Sequence, residues 1–154
     1  MRCQPAFFTC HAAWRLLALA ALAVCLLAMA TSARSAALSD TDEKNVRATV
    51  QAQLAAFAAD DANKAFSYAA PNVREAMGTA ANFMAMVREA YPVVYRPASV
   101  AFLKPESRDG QAIQRVQMQD AAGLAWLAVY SLQRQGQGWL ITGCVVIANT
   151  GRMA

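Results

Sequence analysis

The spacing of hydrophobic positions changes character once in this chain, close to residue 93. Before that point apolar residues recur every three or four positions. Val46, Val50, Leu54 and Phe57 form one such stripe, with Lys44, Arg47 and Gln51 mostly on other faces. This predicts a helix capped by Ser39 or Asp40 and ending near Asp60-Asp61, with Asp42 and Glu43 in the turn where carboxylates suit the helix dipole. A short helix over 62–69 should stop before Pro71, whose ring excludes the helical shape from its predecessor. Asn72 is the expected cap for 73–77, which Gly78 ends. Thr79 opens a further helix with Phe83, Val87, Ala90 and Tyr91 on one stripe, closed by Pro92.

After residue 93 the texture is extended. Residues 93–95 and 100–103 read as short strands, and 104–110 as a polar connection holding Pro105 and the turn pair Asp109-Gly110. Strands over 111–119, 124–133 and 139–148 are separated by turns at 120–123 and 135–138, the pattern of an antiparallel meander. Helices followed by a meander predict an α+β domain whose sheet is covered on one face. Yet the penultimate strand is apolar on both faces: Trp126, Ala128, Tyr130 and Leu132 on one, Leu127 and Val129 on the other. A sheet with one wet face does not look like that, so either the second face meets a partner or the sheet curls around an interior space.

The first 37 residues belong to neither pattern. Arg2 and Arg15 precede an uncharged apolar run, 16–30, and the small residues TSARSAA follow. That order is a secretory signal peptide, removed somewhere between residues 33 and 37. The run falls short of the roughly 20 apolar residues of a spanning helix, so no stable membrane anchor is expected after cleavage. Val24 before Cys25 is too bulky for a lipid-attachment site. The protein should be exported, periplasmic or secreted, as one domain over 38–154.

Removing the leader changes the chemistry. It carries the single histidine, His11, and Cys3, Cys10 and Cys25, leaving Cys144 as the one thiol. Serine–histidine, cysteine–histidine and histidine–zinc chemistries are thereby removed. All ten acids lie beyond residue 37, while three of the fourteen basic residues lie in the leader, so the mature net charge is +1. No basic cluster exists to follow a nucleic-acid backbone. Neither a phosphate-cradling glycine loop nor calcium spacing is present, so no cofactor or metal is expected. Cys144, in WLITGCVVI, reads as a buried apolar strand residue.

The remaining candidates are few. Asp60-Asp61 is the one adjacent acid pair, placed at a helix junction where capping would lower its pKa. Asp109 and Asp120 read as turn residues. Arg88, in a largely apolar helix, and Arg96, between Tyr95 and Pro97, could grip an acidic ligand while stacking on a ring. The alternative is that Arg88 ion-pairs with Asp60 or Asp61 and fixes helix against helix. Tyr68, Met84, Met86, Tyr91, Tyr95, Trp126, Tyr130 and Trp139 would serve either as core or as the lining of an apolar cavity.

Four segments carry a resemblance: QLAAFAADDANKAFSYAAP (53–71), FMAMVREAYPVVYRP (83–97), QRVQMQDAAG (114–123) and GWLITG (138–143). The first resembles the opening helices of the nuclear transport factor 2-like superfamily. Together they resemble the bacterial domain of unknown function 4864, with its Met86-Val87-Arg88, Tyr91-Pro92 and Arg96-Pro97. Val129, Leu140 and Thr142 depart from that pattern by being apolar or smaller. The resemblance implies N-terminal helices packed in the concave face of a curved antiparallel sheet, often with a pocket at the wide end.

The functional expectation is a non-catalytic module binding a small apolar or acidic ligand through Arg88, Tyr91, Tyr95, Arg96, Trp126 and Tyr130, with no catalytic residue assigned. Two alternatives stand beside it: a proton-transfer isomerase or dehydratase with Asp60 or Asp61 as base, and a homodimeric interaction protein using the outer sheet face.

Overall fold

A computed structural model describes residues 37–149. Five helices come first: α1 (Asp40–Ala58), α2 (Ala62–Ser67), α3 (Pro71–Met77), α4 (Ala80–Ala90) and α5 (Pro92–Tyr95). Five strands follow: β1 (Ser99–Phe102), β2 (Glu106–Arg108), β3 (Gln111–Gln119), β4 (Ala125–Gln135) and β5 (Gly138–Ala148). The result is an α+β domain in which helices line one face of a curved, open antiparallel sheet.

Local chemistry sets the helix ends. The Ser39 hydroxyl oxygen accepts from Asp42 N–H at 3.1 Å, capping α1. Val46, Val50, Leu54 and Phe57 then bury as the stripe requires, and Gln53 is buried among them. Asp60 breaks the helix with φ of +58°, a left-handed conformation that aspartate tolerates better than most residues. Asp61 starts α2 by accepting from Lys64 N–H at 2.9 Å. Thr79 caps α4 in the same way through Asn82 N–H.

Three expectations need correcting. Residues 93–95 are not extended. Pro92 stands at the first position of a helical turn, where its missing N–H costs nothing and its fixed φ suits the helix. Helix α3 likewise starts at Pro71, one residue before the expected cap, and the Asn72 side chain instead donates to the Thr142 carbonyl at 3.0 Å. The polar connection 104–110 contains β2, which pairs with the start of β3.

The sheet runs in the order β1-β3-β4-β5, and β1 and β2 both pair antiparallel with β3. Ala112, Gln114, Val116 and Met118 alternate inward along β3, as do Ala128, Tyr130 and Leu132 along β4. In β5 the alternation breaks. Ser131 pairs with Gly143 but the next residue, Leu132, pairs with Ile141, so Thr142 is an extra residue in the strand. Such a bulge reverses side-chain parity. Trp139 and Ile141 point to the helices before it, Cys144 and Val146 after it. Val145 and Ile147 are left on the outer face, 61 % and 50 % exposed. Helices α1, α3 and α5 pack against the inner face.

Candidate ligand-binding cavity

Between helices and sheet lies a cavity of about 250 Å³. Gln53 and Phe57 of α1, Phe83, Met86 and Val87 of α4, Tyr91, and Val94 of α5 line the helical side. Ala69, Val73 and Met77 close another wall, and Tyr130, Ile141 and Cys144 come from the sheet. The lining is dominated by apolar and aromatic side chains with few polar groups, the composition usual for small-molecule sites.

Tyr130 is the unusual member of the wall. It is 1 % exposed, and among the described residues its hydroxyl makes no well-aligned hydrogen bond. The register places it opposite Cys144, whose thiol is near enough to interact with the hydroxyl, a weak pairing that falls short of a well-aligned hydrogen bond. Burial drives the Tyr130 hydroxyl well above its usual pKa and pushes the Cys144 thiol up to about 12, so both are neutral. Gln53, also buried, has its amide N–H engaged by the Ala65 carbonyl at 3.2 Å. A buried polar atom without a partner is uncommon and asks for an explanation, such as a water or a ligand that the cavity takes up.

Outside the cavity, one carboxylate gathers three helices. Asp60 Oδ1 accepts from Arg88 Nη2 at 2.7 Å and from the Tyr95 hydroxyl, and Oδ2 accepts from Arg96 Nη2 at 2.9 Å. Both guanidinium carbons lie 5.1 Å from the Tyr95 ring centroid, within cation–π range. The hydrogen bonds from Tyr95 and Arg88, aided by the two positive charges, hold the Asp60 carboxyl below its usual pKa. All three charged side chains are about half exposed.

A second concavity, of about 520 Å³, is lined by Tyr91, Tyr95, Arg96, Asp120, Trp126 and Val146, among others. Asp120 is already committed there. Its Oδ2 accepts from Trp126 Nε1 at 2.9 Å, and its Oδ1 accepts from the backbone N–H groups of Ala122 and Leu124. The bond from Trp126 and those from the backbone lower its pKa.

The model of the family described as domain of unknown function DUF4864 matches residues 39–154. The chain belongs to that family. No curated protein and no solved structure matches it.

Within this DUF4864 domain the six residues singled out from sequence do not form one site. Tyr91 and Tyr130 line the cavity, while Tyr91, Tyr95, Arg96 and Trp126 line the second concavity. Arg88 lines neither and is bound to Asp60. Asp60 does not cap a helix, whereas its neighbour Asp61 does. Of the methionine and aromatic set, Met86 joins the two tyrosines in the cavity, whereas Met84 is core. Sequence reasoning did not select Gln53, Phe57, Phe83, Val87, Ile141 or Cys144 as lining. The helical stripes marked several of them as inward-facing, but no periodicity distinguishes a core position from the edge of a void. Among the described residues no group of acids and cysteines is placed to hold a metal ion.

Proposed function

We propose that this domain is a non-catalytic module, on a nuclear transport factor 2-like scaffold, that takes a small and largely apolar ligand into the cavity beneath α4. The observation that carries this reading is the buried, unpartnered Tyr130 hydroxyl set in the wall of an otherwise apolar void. Proton-transfer catalysis would need a base within reach of the ligand and a pKa near neutrality. Among the described residues no carboxylate lines the cavity, and Asp60 is exposed and held as the anion by two arginines. Cys144 is no better suited, because a thiol titrating near 12 supplies almost no thiolate. The same reading takes residues 1–37 as an export leader, so the ligand is met outside the cytoplasm.

Native mass spectrometry of the protein purified from its own compartment tests this. A small organic adduct in the parent, lost when Val73→Phe fills the cavity, is the expected result. Adducts of equal mass and abundance in both proteins would overturn the assignment of the cavity.

A second reading has its own observation. Val145 and Ile147 stand exposed on the outer sheet face, with Leu127 opposite Ile147 and Val129 opposite Val145. An apolar strip of this kind suits a homodimer formed face to face.

A further inference from the structure

The cavity wall also speaks to the charge of its occupant. Among its lining residues are Gln53, Tyr91, Tyr130 and Cys144 as polar groups, and no lysine, arginine, aspartate or glutamate. The two arginines that suggested an acidic ligand are both drawn to Asp60 on the outer surface. A carboxylate seated against this wall would shed much of its water and gain no cation, which is unfavourable. The hydroxyl of Tyr130, by contrast, can both donate and accept. As to size, a protein cavity of about 150 Å³ accommodates benzene, so one of about 250 Å³ holds roughly ten non-hydrogen atoms by the same scaling.

Resting on the proposed binding role, we infer that the cavity selects an uncharged, compact molecule bearing one oxygen that exchanges a hydrogen bond with Tyr130, of the phenol, alcohol or ketone class, and rejects a carboxylate of the same shape. The hydroxyl would then gain the partner it lacks. The ligand's apolar body would lie against Phe57, Phe83, Met86 and Val87.

Three probes built on one methylphenyl body, all within the roughly ten non-hydrogen atoms the cavity holds, separate the terms: toluene, p-cresol and p-toluate, each titrated into the full domain by calorimetry and ligand-observed NMR. The expected order is p-cresol tightest, toluene about five-fold weaker for want of one hydrogen bond, and p-toluate about a hundred-fold weaker or worse. Tyr130→Phe should bring p-cresol to the affinity of toluene and leave toluene unchanged, with a thermal melt showing that the variant is folded. If p-toluate binds as well as p-cresol, or p-cresol is indifferent to Tyr130→Phe in the folded variant, the ligand class is wrong while the cavity remains a binding site. If none of the three binds, both the class and the binding role fall.

Discussion

Arg88 at the end of α4 donates to the Asp60 carboxylate just past the end of α1, at 2.7 Å and across 28 residues of chain. Arg96 and Tyr95 reach the same carboxylate from the following turn. Met86, Val87, Tyr91 and Val94 belong to this same α4–α5 segment and form one side of the cavity. Asp60 is therefore a clasp between the end of α1 and the α4–α5 wall, and its protonation state bears on the fold. Because the Asp60 carboxyl titrates below its ordinary value of 3.8 in the folded chain, its contribution is complete above the unfolded value. It is lost as pH falls through the lower folded one. Asp60→Asn should melt below the parent at neutral pH by a constant margin down to about pH 4, then converge with it in stronger acid. A margin that widens with acid would refute the clasp.

Tyr130→Phe removes an oxygen whose one recorded polar neighbour is the weakly interacting Cys144 thiol. Losing a satisfied hydrogen bond costs stability, whereas losing an unsatisfied buried group does not. The variant should be as stable as the parent or more so, within about 1 kcal/mol by urea unfolding. A clear destabilisation would mean that the hydroxyl is held by a bond, through water or otherwise, in the ligand-free protein.

The alkaline limb of stability should be steep. Burial moves the Cys144 thiol from 9.0 to about 12. An acid whose folded pKa is raised stabilises the fold fully below its unfolded value and ceases to do so as pH climbs toward the folded one. Melting temperature should therefore decline between pH 9 and 12, and Cys144→Ala should flatten part of the decline. Tyr130, raised in the same sense from 10.0, should add a further part that only Tyr130→Phe removes. Identical pH profiles for parent and double variant would show that neither group is shielded as described.

On the outer sheet face, Leu127→Lys and Val145→Lys should weaken any self-association without disturbing the core, since both side chains point away from the helices. Sedimentation velocity over a wide concentration range reads this directly. A parent that stays monomeric throughout removes the dimer from consideration.

The proposed leader makes a prediction of its own. Intact mass analysis of protein recovered outside the cytoplasm should show loss of 33–37 residues. Retention of Met1 would return His11 and three thiols to the chemistry of the mature chain.

Much of the fold was legible because helix α1 buries one stripe and the meander turns carry their own signals. Val46, Val50, Leu54 and Phe57 could hardly point elsewhere. Residues 93–95 misled because a β-branched pair outweighs a proline in any local reading, although Pro92 is what sets the backbone there. The cavity was less visible. Its sheet side depends on Thr142, which shifts Cys144 to the helical face, and a threonine in an apolar strand announces no bulge. The pairing of Arg88 with Asp60 was one of the two readings open in the sequence, and the structure has it. The second arginine, Arg96, was not foreseen, because Asp60 is far away in sequence and reaches it through a left-handed backbone turn.

The edges of the sheet decide how copies of this domain can meet. A strand approaching β5 would find Ile141 N–H and C=O already bonded to Tyr68 and Ala70, and the Thr142 carbonyl to Asn72. On the opposite side it would meet only the four residues of β1 and the three of β2, separated by a gap that holds Pro105, which has no N–H to offer. Neither border presents an unbroken run comparable to the eleven residues of β4. Fibre-like growth by strand addition is thereby discouraged. That protection allows the outer face to stay apolar without the sheet becoming a template for its own aggregation.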